Sequence, residues 1–330
     1  MKAQVVHELG GIESLQWEDI PEPEVPAGHV EIAVRAAALN FPDILIVQGL
    51  YQMRPELPFS PGAEAAGEVV SVGRDVTHFQ PGDRVIAYSS HGAFSERFVV
   101  PAGSVFRMPD ELSFETGSVV SMIYGTSYHA LFDRADLQAG ETLLVTGATG
   151  GVGSAAVQLG KAAGATVIAA VGSETKVETA RELGADEVVL YGAGHSLRDQ
   201  VKELTKGQGA DVIYDPVGGD VFLETLRCVA WEGRILVVGF TSGSIPNAPM
   251  NLPLLKGCSI VGVFWGDFVR RNPQANAANL EEILQMAVEG RIDPVISATF
   301  PMEMAKEALQ LLADRKAVGK VVLTIDRPSP

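Results

Sequence analysis

Cysteine is scarce in this sequence: Cys228 and Cys258 are the only two among 330 residues. Two thiols are too few for the disulfide framework of a small secreted domain or for a zinc site made of four thiolates. Their surroundings predict a helix and a strand, so we expect reduced side chains in the core. This pattern is typical of a protein kept in a reducing compartment.

Long apolar runs are missing as well. No stretch reaches the roughly 18 apolar residues, free of glycine and charge, that a membrane-spanning helix needs. The first residues, MKAQVVHELGG, contain no apolar signal core after the lysine. We therefore predict a cytoplasmic protein with no membrane partner.

Basic residues are outnumbered by acidic ones. The chain has 25 Lys and Arg against 41 Asp and Glu, which gives a net charge of −16 and an isoelectric point near 4.8. The resulting field repels the phosphate backbone of nucleic acids, so we expect no nucleic-acid partner. An anionic ligand would have to be held by backbone amides and a few well-placed cations.

A glycine-rich turn is the most informative feature that is present. Leu143 to Thr146 is a short apolar run suited to a buried strand, and Val152 to Ala163 has helical spacing. The turn that joins them consists of Gly147, Ala148, Thr149, Gly150, Gly151, Val152 and Gly153. A helix that starts on such a turn points its unpaired amides at an anion. The spacing G-x-x-G-G-x-G departs from the usual G-x-G-x-x-G, but strand, turn, helix and strand in this order favour dinucleotide binding over a purely structural turn.

The pattern along the chain predicts an α/β protein with two domains. Residues 1–122 carry short strand signals separated by proline and glycine turns, which indicates a mostly β region. Residues 123–263 alternate between strands and helices, which predicts parallel pairing in a doubly wound sheet of six strands. The predicted strands are Leu143 to Thr146, Thr166 to Val171, Glu187 to Leu190, Val212 to Tyr214, Ile235 to Val238 and Ser259 to Phe264.

The residues after this region are too few for a core of their own. They contain two amphipathic patterns, Asn279 to Glu289 and Met304 to Arg315, and a final strand, Lys320 to Ile325. We expect this tail to pack on the β-rich part. The predicted domains are therefore 123–263 and a discontinuous one made of 1–122 and 264–330.

Four motifs occur together in order: PGAEAAGEVVSVG at 61–73, FQPGDRV at 79–85, GATGGVGSAAVQLGKAAGA at 147–165 and DPVGG at 215–219. With them the chain resembles the quinone oxidoreductases, the zinc-independent branch of the medium-chain dehydrogenase/reductase superfamily. The resemblance runs from end to end. It implies a GroES-like catalytic domain, a Rossmann domain that binds NADPH, and a dimer or tetramer.

Compared with the zinc-dependent relatives, the chain lacks the soft metal ligands. Asn40 stands where the alcohol dehydrogenases have a metal-binding cysteine, and Ala63 stands within their Gly-His-Glu motif. Catalytic zinc needs three protein donors, so we expect no bound metal. Spacing alone leaves open a carboxylate site built by Glu64 and Asp43.

The end of the second predicted strand favours NADPH over NADH. NAD-specific sheets end this strand in a carboxylate, whereas here Gly172 and Ser173 leave space for a 2′-phosphate. Ser173 and Lys176 would supply a hydroxyl, amides and a positive charge, although they are also explained as a helix cap and a solvated lysine. Glu174 is near enough to bind the ribose instead. By resemblance, Tyr191 packs beside the adenosine phosphate.

Hydride transfer needs orientation of the acceptor and stabilisation of the charge on its oxygen. The resemblance assigns three catalytic candidates. Asn40, in the N-F-x-D stretch, faces the nicotinamide and the substrate carbonyl; Tyr51 lines the substrate pocket as a hydrogen-bond donor; Thr126 contacts the nicotinamide. A turn-forming asparagine and a helix-start threonine are the structural alternatives for Asn40 and Thr126.

The resemblance also assigns residues that complete the cofactor cleft. These are Phe240, Thr241, Ser242, Phe264, Trp265 and Lys320. The aromatic pair is equally well explained as core between the domains.

These observations predict an NADPH-dependent reductase of quinones or other α,β-unsaturated carbonyl compounds. One alternative is reduction of enoyl thioesters, for which Arg270 and Arg271 would hold an acidic tail. Another is a non-catalytic NADPH-binding protein with a structural, regulatory or RNA-binding role. Because the strand from Ser259 to Phe264 is predicted at a sheet edge, we also expect a homodimer.

Overall fold

The computed structural model describes residues 1–192 and 194–326, and it divides the chain into two compact units. The first unit comprises Met1–Met122 and the chain from Pro294 onward, and the second comprises Ile123–Asp293. The predicted domains were 123–263 and a discontinuous one made of 1–122 and 264–330. The second boundary differs, because it follows Asp293 and not residue 263.

The first unit is built on a mostly antiparallel sheet. Its strands are β1 Lys2–Val6, β2 Leu15–Asp19, β3 His29–Ala38, β4 Glu64–Val72, β5 Arg84–Tyr88, β6 Arg97–Pro101, β7 Val105–Arg107, β14 Ile296–Pro301 and β15 Lys320–Thr324. Its helices are α1 Phe41–Val47, α2 Phe114–Val119 and α11 Ala305–Ala313. Over the described residues seven strands form one sheet in the order β14-β15-β3-β4-β5-β7, with β6 also paired to β3. The pair β1 and β2 forms a separate ribbon.

The long strand β3 organises this unit because it pairs antiparallel with β4, β6 and β15. Ala36 and Ala38 have small side chains, which allow other elements to pack closely on β3. Val119 of α2 and Val322 of β15 form one buried cluster with them. The pairing of β15 with β3 brings residue 320 close to the end of β3, which positions the polar site described below.

The second unit contains a parallel sheet in the order β10-β9-β8-β11-β12-β13, six strands within the described part of the unit. Its strands are β8 Thr142–Thr146, β9 Thr166–Val171, β10 Glu187–Leu190, β11 Ala210–Asp215, β12 Val229–Val237 and β13 Ser259–Gly262. Its helices are α3 Gly125–Tyr128, α4 Gly151–Ala162, α5 Val177–Glu182, α6 Leu197–Leu204, α7 Gly219–Cys228, α8 Asn251–Lys256, α9 Trp265–Arg271 and α10 Pro273–Val288. Two π-helical segments, Val120–Tyr124 and His129–Arg134, flank α3. The predicted six-stranded doubly wound sheet is confirmed, although β12 begins six residues before the predicted Ile235.

The pattern from Asn279 to Glu289 was predicted to join the first unit, but it lies in α10 within the second, whereas the pattern from Met304 to Arg315 lies in α11 of the first unit. The indole Nε1 of Trp265 in α9 donates to Asn276 Oδ1 of α10 at 3.1 Å. The ring of His129 stacks on Phe268 of α9 with 3.9 Å between centroids. Buried polar and aromatic contacts therefore hold α9 and α10 against the α3 region. For this reason the second unit ends at Asp293 and not at residue 263.

The parallel sheet has its topological switch point between β8 and β11, where the chain passes to opposite faces. Ligands of such sheets bind beside the carboxyl ends of the strands at this point. Among the described residues, no helix is both long enough and apolar enough to cross a bilayer.

Candidate functional site

The glycine turn follows β8 at the switch point. Gly147 has φ +59°, a left-handed conformation that favours glycine. A Cβ at Gly153 would lie 2.2 Å from the carbonyl oxygen of Gly147, so only glycine allows α4 to approach the strand this closely. Gly150 caps α4, which begins at Gly151. Helix geometry leaves the first amides of α4 without intrahelical partners, so they are donors of the kind that bind anions.

Space is available in front of these amides. A Cβ at Gly150 would meet one atom within 4 Å, the Gly147 carbonyl oxygen at 3.4 Å, and the residue has an ordinary φ of −79°. A glycine at this position is therefore not required for folding. Its small size keeps the front of the turn open.

Asp215 connects the turn to the neighbouring loop after β11. Its buried carboxylate accepts hydrogen bonds from Thr146 Oγ1 and from the backbone amides of Val217 at 3.0 Å and Gly218 at 3.2 Å. Burial raises the pKa of this carboxyl, and these hydrogen bonds oppose the rise. Asp215 thus holds the ends of β8 and β11 together. The DPVGG motif contained this residue, but spacing did not reveal its role.

Phe240, Thr241 and Ser242 lie against the same loop. The backbone amide and Oγ1 of Thr241 both donate to the Pro216 carbonyl, at 3.0 and 3.1 Å. The amide of Ser242 donates to the Val217 carbonyl at 3.0 Å. The structure therefore brings this predicted trio next to the β11 loop at the carboxyl edge of the sheet.

Ser173, Lys176 and Tyr191 lie at the ends of β9 and β10, on the same edge. The Tyr191 amide donates to the Val171 carbonyl at 3.1 Å, and a Cβ at Gly172 would lie 3.3 Å from the Tyr191 ring. Ser173 Oγ lies 2.8 Å from Thr175 Oγ1. Lys176 is half-buried, and no ion pair is found for it within the described residues. It is therefore free to meet an anion.

A cavity of about 400 Å³ opens beside Tyr191. It is lined by Tyr191, Gly192, Gly194, His195, Ser196, Leu197, Asp220, Val221 and Glu224. This volume is in the range of small-molecule sites. Of the residues assigned to the cofactor, only Tyr191 lines this cavity, as far as the described residues show.

Phe264 and Trp265 have different surroundings. Phe264 is 64% exposed, whereas Trp265 is 6% exposed and bonded to Asn276. The Trp265 ring would lie 3.0 Å from a Cβ at Gly125. Its contacts belong to the interior of the second unit, so they give no support to a cofactor role. Half-buried Thr126 lies next to Gly125 in α3.

Asn40 belongs to a buried polar cluster in the first unit. Its Nδ2 donates to Glu64 Oε1 at 2.9 Å and to the Ala38 carbonyl at 3.4 Å. Its Oδ1 accepts from Lys320 Nζ at 2.7 Å. These contacts hold the side-chain amide of Asn40 in one orientation. Its bond to the Ala38 carbonyl is long, so the N–H in that bond is the one that a ligand could accept instead.

Lys320 is committed to this cluster. It is 3% exposed, and its ammonium also donates to Glu64 Oε1 at 3.0 Å. The other oxygen of Glu64, Oε2, accepts the backbone amide of Met122 at 2.8 Å. Lys320 was assigned to the cofactor by resemblance, whereas its observed partners are Asn40 and Glu64.

The ammonium of Lys320 supplies the positive charge that the carboxylate of Glu64 faces. Within the described residues, no group of three or more His, Cys, Asp or Glu side chains is arranged to hold a metal ion. The sequence had left open a carboxylate site built by Glu64 and Asp43. In the structure the cation beside Glu64 is the ammonium of Lys320.

Asp43 occupies the first turn of α1; in the sequence it belongs to the N-F-x-D stretch and was left open, with Glu64, as a carboxylate site. Its Oδ2 accepts the backbone amide of Asn40 at 2.7 Å, and its own amide donates to the Asn40 carbonyl at 3.0 Å. The carboxyl is fully buried. Burial raises the pKa of Asp43 to about 7, although the Asn40 amide and the Lys320 charge lower it.

Tyr51 follows α1 after a reversal of the chain. Gly49 has φ +70°, and the Leu50 amide donates to the Leu45 carbonyl at 2.8 Å, which closes the end of the helix. The phenol is half-buried. Burial, and then the charge of Asp43, raise the pKa of Tyr51. The hydroxyl is therefore protonated at neutral pH and available as a donor.

Arg270 and Arg271 both bond to Asp267 on their own helix. Arg270 Nη2 donates to Asp267 Oδ1 at 2.6 Å, and Arg271 Nε donates to Oδ2. Their charges are largely satisfied locally. The geometry therefore adds no support for a site that holds an acidic thioester tail.

Comparison with known proteins agrees with this geometry. The alcohol dehydrogenase GroES-like domain matches residues 26–110, and the zinc-binding dehydrogenase family matches residues 151–282. The chain is 41% identical to the quinone oxidoreductase-like protein 2 homolog of Nematostella vectensis, over 98% of this chain and 88% of that protein. It is 32% identical to the quinone oxidoreductase of Homo sapiens, over 98% of both.

Solved structures show the same likeness. The quinone oxidoreductase of Escherichia coli, determined in complex with NADPH, superposes with a TM-score of 0.90 at 29% identity. The superposition covers 98% of this chain and 100% of that chain. The predicted pairing of a GroES-like domain with a Rossmann domain is thereby confirmed.

Proposed function

Because the chain belongs to the quinone oxidoreductase family of the medium-chain dehydrogenase/reductase superfamily, we propose that it transfers a hydride from NADPH to a quinone or another α,β-unsaturated carbonyl compound without zinc. The observation that carries this proposal is the open glycine turn at the switch point of the parallel sheet. Amides at the start of α4 hold the diphosphate there.

Bound NADPH would supply the hydride, and the protein would supply binding and orientation. Gly147 to Gly153 contact the diphosphate, and Phe240 to Ser242 close one side of it. Ser173, Lys176 and Tyr191 take the adenosine end with its 2′-phosphate. The neutral end of β9 and the unpaired charge of Lys176 support NADPH over NADH.

Replacing Lys176 by alanine is expected to raise the Kd for NADPH about tenfold, because one charge-assisted contact to the 2′-phosphate is lost. The Kd for NADH should change less than about twofold, since NADH lacks that phosphate. Lys202→Ala is the matched control: Lys202 lies near the end of α6, which leads into the amino end of β11, away from the cofactor edge. Fluorescence titration of wild type and of both variants with each cofactor measures the six constants. Equal weakening of NADPH and NADH would contradict the assignment of Lys176.

On the acceptor side, Tyr51 donates a hydrogen bond to the oxygen that becomes negatively charged during reduction. Asn40 orients the carbonyl through the N–H that it shares with Ala38. Thr126 contacts the nicotinamide. The buried Lys320 and Glu64 fix the Asn40 amide.

Loss of nicotinamide absorbance with a panel of orthoquinones, enones and enoyl thioesters tests the proposed function. We expect turnover with the first two classes, unchanged after dialysis against a chelator. Turnover of enoyl thioesters alone would contradict the proposed acceptor and favour an enoyl-thioester reductase. Tight NADPH binding with no turnover of any acceptor would indicate a non-catalytic protein.

We expect a homodimer that pairs β13 with its copy. β13 is the last strand of its sheet, and strands with an unpaired edge readily extend across a two-fold axis. Light scattering after gel filtration should give twice the chain mass of 34.9 kDa. A mass that stays at one chain at every concentration would remove this prediction.

A further inference from the structure

Two hydrogen bonds in series connect β11 to the first turn of α4 inside the second unit. Tyr214 of β11 and Ser127 of α3 are each 0% exposed. Ser127 Oγ lies 2.9 Å from Tyr214 Oη and 3.0 Å from the carbonyl oxygen of Val152. Because a carbonyl can only accept, the one hydroxyl proton of Ser127 goes to Val152. Tyr214 is therefore the donor to Ser127, and the direction of both bonds is fixed.

Val152 belongs to the glycine turn to which the proposed function assigns the diphosphate. Helix geometry gives its carbonyl an amide from the next turn of α4, so Ser127 uses the second lone pair. The same peptide group carries the amide N–H of Gly153, one of the first amides of α4 without an intrahelical partner. A hydrogen bond to a carbonyl polarises its peptide group. The bond from Ser127 therefore makes the N–H of Gly153 a stronger donor.

A second bond holds the α3 region on α4 farther along that helix. The hydroxyl of Tyr124, which precedes α3, donates to Gln158 Oε1 at 2.6 Å. Val152 and Gln158 are separated by about 9 Å along the helix axis. Loss of the Ser127 bond should therefore release the first turn of α4 without detaching the α3 region.

Ser127 also adjoins Thr126, for which a contact with the nicotinamide is proposed. The π-helical segments Val120–Tyr124 and His129–Arg134 flank the short helix that carries both residues. Such segments are frequent at functional sites. The side chain of Thr126 is half-buried, whereas that of Ser127 is buried and bonded to α4. Ser127 thus joins the segment proposed for the nicotinamide to the turn proposed for the diphosphate.

We propose that Ser127 is a positioning residue for the cofactor, whose hydroxyl fixes the first turn of α4 and strengthens the Gly153 amide toward the diphosphate. This rests on the proposed function, because it needs the diphosphate at the glycine turn. Ser127 itself has no assigned contact with NADPH. It acts through the peptide group between Val152 and Gly153.

The first test replaces Ser127 by alanine. The Kd for NADPH should rise about three- to tenfold, which is the size of effect expected for one hydrogen bond. The melting temperature should also fall, by roughly 3–8 °C, because the buried hydroxyl of Tyr214 loses its acceptor. Calorimetric titration measures the affinity, and scanning calorimetry measures the melting temperature. An unchanged Kd would overturn the proposal.

Adding Tyr214→Phe to Ser127→Ala separates positioning from stability. The double variant no longer has a stranded hydroxyl at this place, so its melting temperature should return to within about 2 °C of wild type. Its Kd for NADPH should stay about three- to tenfold above that of wild type, because Val152 still lacks the bond from Ser127. If wild-type affinity returned together with stability, Ser127 would serve only the core, and the proposal would be wrong.

Ser118→Ala is the matched control. Ser118 of α2 in the first unit is 1% exposed, and its Oγ donates to the Glu115 carbonyl at 2.8 Å. The same substitution thus removes the same kind of bond in the other unit, and NADPH should bind within about twofold of wild type. Equal losses of affinity in Ser118→Ala and Ser127→Ala would contradict a specific role of Ser127.

These affinities are measured without an acceptor. A wild-type protein that binds NADPH but reduces nothing would therefore contradict the proposed function alone, and the variants would still decide the role of Ser127. A wild-type protein that binds no NADPH would refute both.

Discussion

Replacing Gly150 by aspartate is expected to abolish measurable NADPH binding, with Kd raised at least about 100-fold. The new carboxylate would stand in front of the first amides of α4 and repel the diphosphate that these amides attract. The fold should survive, because a Cβ at Gly150 meets one atom within 4 Å, at 3.4 Å. Calorimetric titration measures the affinity, and the melting temperature should stay within about 2 °C of wild type.

Gly103→Asp provides the matched control. Gly103 is exposed in the short turn Ala102–Ser104 of the first unit, and a Cβ there meets nothing within 4 Å. This variant adds the same charge and should bind NADPH as wild type does. If Gly150→Asp bound NADPH with wild-type affinity, the diphosphate would not lie at the glycine turn.

Replacing Lys320 by methionine is expected to lower the free energy of unfolding of the first unit by about 3–5 kcal/mol. Methionine fills the same volume but leaves the carboxylate of Glu64 buried at 0% exposure without its cation. Denaturant unfolding followed by circular dichroism measures the change. Adding Glu64→Gln to this variant should restore much of the lost stability, because the stranded charge is removed.

An exposed ion pair serves as the comparison. Lys161 Nζ lies 2.7 Å from Asp186 Oδ1, a similar contact, but the side chains are 35% and 39% exposed. Lys161→Met should therefore cost at most about 1 kcal/mol. If Lys320→Met and Lys161→Met lowered the free energy of unfolding equally, burial of Lys320 and Glu64 would not determine how much the ion pair contributes to stability.

The Rossmann half was predictable because its signals are local. The strand from Thr166 to Val171 was predicted with the bounds observed, and α4 begins one residue before its predicted start. The glycines, taken with the strand before them and the helix and strand after them, predicted an anion site from consecutive residues, which supply the turn, the cap and the amides. The edge position of β13 was also predicted correctly.

The polar cluster of the first unit was not predictable in this way. Asn40, Glu64 and Lys320 meet only because β15 pairs with β3 and β3 pairs with β4. Resemblance singled out Asn40 and Lys320 separately, and no spacing rule connected Lys320 to Glu64. The burial of Asp43 became known only from the structure.

The boundary predicted after residue 263 differs from the observed one after Asp293 for a related reason. The pattern from Asn279 to Glu289 indicated a helix but not its partner. Two side-chain contacts, between Trp265 and Asn276 and between His129 and Phe268, join this region to the second unit. Amphipathic spacing shows that a helix has a buried face, but it does not identify the surface that covers it.

We propose that this chain moves a hydride from NADPH to a conjugated carbonyl compound. Incubation with an enone and NADPH deuterated at both C4 positions tests it most directly, with mass spectrometry of the product. We expect one deuterium on the β carbon of the reduced enone, with the same yield after chelator treatment. A reduced product that carries no deuterium at that carbon would contradict the account.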